Sequence, residues 1–135
     1  MKNEVDLNFV VFDFNDISHA DITKMIGVSP SKIYVKGEPK NLKVKSLAKY
    51  NVWMMGSGKD KYATFDDQMN AILDIFEDKI DVFINLTEKY YCEFSCAIFT
   101  YYGNEESTPW IHLNKRYNTI TKKLNVEFDI DLYAW

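Results

Sequence analysis

Two histidines and two cysteines are the only soft metal ligands among the 135 residues. A structural zinc site needs four such groups converging tetrahedrally. Cys92 and Cys96 stand four apart in YYCEFSCAIF, which reads as a strand, rather than two apart on a turn. Four residues along a strand span about 13 Å, too far for a disulfide. Both are expected as reduced, buried thiols. Their apolar surroundings would not lower a thiol pKa, which argues against a Cys-His nucleophile. No metal or cofactor is assigned. No apolar run approaches the ~20 residues of a membrane span. MKNEVDLNF places acids where a signal peptide needs an apolar core. The expectation is a cytoplasmic protein without a membrane partner.

The phosphate-loop motif is also missing. MMGSGKDK ends in Gly58-Lys59, but Trp53 stands where the first glycine belongs and Asp60 where Ser or Thr must follow the lysine. A flexible turn is the better reading. His112 alternates with Trp110 in PWIHL with no group in view to orient it, so it reads as a packed or surface residue. His19 follows a capping serine and reads as a solvated first-turn residue. No catalytic residue is assigned.

What is present is a globular composition, 47% hydrophobic and 27% charged, with 16% aromatics, more than a small core requires. The chain has no internal repeat or low-complexity linker, and reads as a single domain over 1–135. Its charge of −4 is strongly segregated. Residues 31–61 carry eight lysines and two acids; residues 62–113 carry ten acids and two lysines. Larger acidic segments outweigh the basic one, which argues against a nucleic-acid partner.

The pattern of apolar residues predicts the order β-α-β-β-α-β-β-α-β. VDLNFVVFDF (5–14) has apolar groups on both faces and reads as a central strand. Ser18 with Asp21 predicts a helix start and Gly27 its end. Ile33–Val35 and residues 51–55 read as strands around a lysine-rich connection, 36–49. Thr64 with Asp67 opens an acidic helix running to about Lys89, as one piece or as two broken near Asp78. Residues 90–102 form an aromatic strand with Cys92, Phe94, Cys96 and Ile98 on its core face. PWIHL reads as a short strand. Asn114 caps a last helix that turns Tyr117, Ile120 and Leu124 inward, with Asn125 closing it in the left-handed conformation. Few strands mixed with helices predict an α+β fold: one largely antiparallel sheet of about five to six strands, with helices packed mainly on one face.

ISHADITKMIGVSPSKIYVKGEP, the VW of the next strand, the acidic helix and the closing FDIDLY fall in the order of one bacterial family. The chain is similar to that family, domain of unknown function 4279, over nearly its whole length. The resemblance implies a small single-domain α+β protein and brings no catalytic residue with it. Immunity proteins and other inhibitors are the analogy at the level of class.

Two surfaces remain as candidates. VEFDIDLYAW alternates strictly, which predicts Val126, Phe128, Ile130 and Leu132 facing the core and Glu127, Asp129, Asp131, Tyr133 and Trp135 facing out. A metal there would need ligands from another strand. A carboxylate pair could suit inverting hydrolysis, but nothing else supports a glycosidase. The row is either a solvated face that discourages edge pairing or a docking surface for a basic protein. Lys32, Lys36, Lys40, Lys43, Lys45 and Lys49, near Tyr34 and Tyr50, could bind phosphate or an acidic partner, or be a solvated loop. The segment 31–61 could also dock on the acidic helix 64–89, in the same chain or in a homodimer. The leading expectation is a non-enzymatic protein that occupies a partner's surface, as an immunity-type or phage-encoded inhibitor would. A small-molecule or nucleotide sensor using the lysines comes second, and a small hydrolase third.

Overall fold

The computed structural model describes the backbone of residues 1–135 and every side chain except that of Val44. The elements run β1 (Glu4–Phe12), α1 (His19–Ile26), β2 (Lys32–Tyr34), β3 (Pro39–Asn41), β4 (Val44–Leu47), β5 (Val52–Gly56), α2 (Phe65–Asp78), α3 (Ile80–Lys89), β6 (Tyr91–Thr100), α4 (Lys115–Thr121) and β7 (Glu127–Ala134). Five strands form one sheet in the order β2-β5-β1-β6-β7, and β3 and β4 form a separate hairpin. All pairs in the main sheet are antiparallel except β6 with β7. The 26 residues between those two include α4, the long crossover that a parallel pair needs.

Apolar periodicity decides the layers. Val5, Leu7, Phe9 and Val11 of β1 point to one face and are buried, as are Cys92, Phe94, Cys96 and Ile98 of β6. Helix α2 covers them with Met69, Ile72, Leu73 and Phe76, and α3 with Phe83 and Leu86. The helical break falls at Lys79, with φ −130° and ψ 34°. Phe76 and Phe83 stack across it at 4.0 Å, and both rings meet Phe9 edge-on. Ser18 and Asp21 form the reciprocal capping box of α1, and Gly27 ends it at φ 80°. At α2 only half of such a box is present: Thr64 accepts from the Asp67 N–H.

A buried glutamine ties α2 to the sheet. Only residues 8–12 of β1 pair with β5. Beyond that, Gln68 of α2 takes the neighbour's role: its Oε1 accepts from the Leu7 N–H at 3.1 Å, and its Nε2 donates to Val5 O at 2.7 Å and Ala63 O at 3.0 Å.

Several sequence expectations are corrected. The connection 36–49 contains the β3–β4 hairpin. Residues 109–113 form no strand. PWIHL instead packs Ile111 against the core and stacks Trp110 on His112. Asn125 does not adopt the left-handed conformation; its N–H donates to Thr87 Oγ1 at 3.2 Å. His19 is half-buried rather than solvated. Its Nε2 lies 2.8 Å from Tyr34 O, an oxygen that only accepts, so this nitrogen carries the proton. No described helix is long and apolar enough to cross a membrane.

Candidate functional site

The helices do not cover the other face of the sheet, which is buried at Val10, Val52 and Glu93 and exposed at Asp6, Asp129 and Asp131. In β7 the alternation places Glu127, Asp129, Asp131 and Tyr133 on this open face. The ladder sets them beside Glu93, Ser95, Ala97 and Phe99 of β6. Asp6 pairs with Ala97 from the opposite side, and Asn8 with Ser95. Small Ser95 and Ala97 thus form a floor between carboxylates on β1 and β7. Tyr133 stacks on Phe99, centroids 4.9 Å apart and planes within 10°. Trp135 continues the ladder past β7: its N–H donates to Thr100 O at 3.0 Å, and its carbonyl accepts from the Tyr102 N–H at 2.8 Å.

Glu93 is the buried member of the row, at 8% exposure. Its Oε2 lies 3.0 Å from the Tyr91 hydroxyl, which also lies 2.7 Å from Glu127 Oε2. A phenol has one proton to donate, so it serves one carboxylate at a time. Burial, followed by the hydrogen bond and charge of Asp129 and the charge of Glu127, pushes Glu93 up to about 7 despite the Tyr91 contact. The hydrogen bond to Glu127 also raises the Tyr91 hydroxyl above its ordinary range. Near neutral pH Glu93 is therefore partly protonated, which eases the repulsion with its neighbours.

These carboxylates do not converge. Successive same-face residues lie roughly 6.5–7 Å apart along a strand, and among the described residues no group of three His, Cys, Asp or Glu is placed to hold a metal ion. Ion pairs form elsewhere: Lys61 with Glu4, and Arg116 with Asp74 and Glu77. The arrangement is a shallow, strongly negative sheet face with aromatic groups at one end. The cysteines are buried and free, and burial pushes Cys92 up to about 12 and Cys96 to about 11. Neither is a nucleophile at neutral pH.

The expectation that Ile130 and Leu132 face the core is corrected. They share a face with Cys96 and Ile98 but are 52% and 65% exposed. The aromatic groups of the core reach β7 only at Phe128, which meets Phe65, Phe94 and Tyr117 at about 6 Å. Alternation reveals two faces but not how far a helix layer extends over one of them. β7 closes the sheet order, so among the described residues its outer edge has no neighbouring strand.

Of the lysines, Lys32 and Lys40 come together over the Tyr34 ring, at 5.2 and 5.7 Å from its centroid. Lys40 and Lys49 line one cavity. Lys43 and Lys45 lie exposed in the hairpin, and Lys36 precedes it, held by its backbone N–H to Asn51 Oδ1 at 2.8 Å. Within segment 31–61 the hairpin lies by the open face, away from α2, while Trp53 and Met55 of β5 share the core cluster with α2. Sequence reasoning missed Asp6, Tyr91 and Glu93 as members of the acidic face. The available signal was Glu93 itself, a charge in the outward phase of an aromatic strand.

A family model described as Domain of unknown function (DUF4279) matches residues 3–135. No curated protein and no solved structure matches the chain.

Proposed function

The chain belongs to that family of unknown function, and from this premise we propose a non-enzymatic protein that works by occupying the surface of a basic protein partner. One observation carries the reading: four exposed carboxylates, on Asp6, Glu127, Asp129 and Asp131, share an open sheet face with the buried Glu93, beside a strand edge that has no neighbour among the described residues. A solvated face needs charge, but it has no use for Tyr133 and Trp135, 44% and 70% exposed at the end of the same row. Aromatic anchors with carboxylates fit a partner rich in lysine or arginine. Ile130 and Leu132, exposed on the reverse face, add apolar contact for a segment lying along the edge. An immunity-type or phage-encoded inhibitor acts in this way.

The test is recovery of partners from host lysate on immobilised parent chain and on a triple variant, Asp129→Asn with Asp131→Asn and Trp135→Ala. Support requires an identified basic protein that the parent binds with micromolar or tighter Kd and that the triple variant loses while melting at the parent temperature. Equal retention by both chains, or none by either, overturns the reading.

A further inference from the structure

A second site lies where the β3–β4 hairpin meets the open face, away from the acidic row. A cavity of about 410 Å³ opens there, within the ordinary size range of small-ligand pockets. Its apolar walls include Phe12, Met54, Tyr34 and Tyr50, from β1, β5, β2 and the segment after β4. Lys40 and Lys49 supply cations at the same cavity, and Ser46 a hydroxyl. Among the described residues no carboxylate lines it. The surrounding segment 31–61 carries a surplus of six positive charges.

From this juxtaposition we propose that the hairpin cavity binds a planar aromatic anion: a ring lying against Tyr34 and Tyr50, with its phosphate or carboxylate on Lys40 and Lys49. Aromatic walls favour a flat π system over an aliphatic chain of the same volume. Two lysines without an acidic partner in the cavity favour an anion over a neutral ring. The size suits a mononucleotide or a smaller aryl acid. This proposal is independent of the acidic docking face.

The hairpin gives the site a second readout. Two strands alone are marginal in water, and the bonds at the base of this pair, Gly37 N–H to Ala48 O at 2.9 Å and Ala48 N–H to Glu38 O at 2.8 Å, join its two arms to each other rather than to the main sheet. A ligand seated between hairpin and sheet slows hydrogen exchange across 39–47.

The experiment titrates the full chain with the four nucleoside monophosphates, their unphosphorylated nucleosides, inorganic phosphate and indole acetate at constant ionic strength. Melting temperature and hydrogen exchange are both followed. The expected result is a rise of at least about 5 °C at ~100 times Kd for one aromatic anion class. Slower exchange across 39–47 accompanies it, and the nucleosides and inorganic phosphate bind at least about tenfold more weakly. A nucleotide response alone identifies a phosphate ligand, and an indole acetate response alone a carboxylate. Lys40→Ala with Lys49→Ala, both exposed positions, melts like the parent and loses the response. No shift with any aromatic anion at about 10 mM overturns the proposal. So does a response matched by inorganic phosphate, or one that survives the double substitution.

Discussion

Glu93 carries a conflict that a single substitution exposes. Its folded pKa is raised from 4.5 to about 7, chiefly by burial. Below about pH 4.5 the folded and unfolded chains both hold the proton. Above that the unfolded chain gives it up while the folded chain keeps it until about pH 7. Stability therefore falls as pH rises from about 4.5 to about 7, then levels off. An amide in place of this carboxyl would keep an acceptor for Tyr91 and gain a donor toward Asp129. Urea unfolding of Glu93→Gln is expected to lack that falling limb and to gain about 1–2 kcal/mol over the parent at pH 8. Equal differences at pH 5 and pH 8 would contradict the assignment. Gln68 makes the opposite point. Its amide serves Leu7 N–H, Val5 O and Ala63 O. Gln68→Leu keeps the bulk and strands all three groups, at an expected cost of about 3 kcal/mol or more in denaturant unfolding. A cost under about 1 kcal/mol would show that those groups find other partners. Nothing in the sequence marks Gln68, because a lone glutamine in an acidic helix reads as surface until the short reach of β5 along β1 is known.

β7 is an edge strand whose two halves differ. Phe128 sits among Phe65, Phe94 and Tyr117, whereas Ile130 and Leu132 stand in the open. Phe128→Ala is expected to cost about 2–4 kcal/mol, and Leu132→Ala less than about 1 kcal/mol. Chemical denaturation of the two variants measures both, and equal losses would place Leu132 in the core. The strict alternation of β7 was legible in the sequence, as were the burial phases of β1 and β6 and the caps at Ser18 and Asn114, whereas the helical break near Asp78 was only one of two readings the sequence left open. The hairpin at 39–47 was not, because exposed lysine-rich strands lack apolar periodicity. Residues 109–113 have that periodicity and form no strand; an irregular segment packs Ile111 against the core instead.

Across the whole molecule, folding turns the charge segregation of the sequence into two separate surfaces. The acids of β6 and β7 meet Asp6 on one part of the open face, while Lys32, Lys40 and Lys49 gather by the hairpin. Arg116, the only arginine, is engaged by Asp74 and Glu77 across α4 and α2. Where these groups would meet in space depends on strand order, which residue patterns alone leave open. If the acidic face is the docking surface, its charges act first on encounter, because same-sign charges on an open face steer a basic partner from a distance and are screened by salt. The most direct measurement is the association rate of the purified partner with the parent and with Asp129→Asn/Asp131→Asn, at low and at physiological ionic strength. The account predicts a parent rate that falls at least about tenfold with added salt. The variant is predicted to be slow at low salt and nearly insensitive to it. Identical rates and identical salt dependence for the two chains would contradict the claim that this face meets the partner.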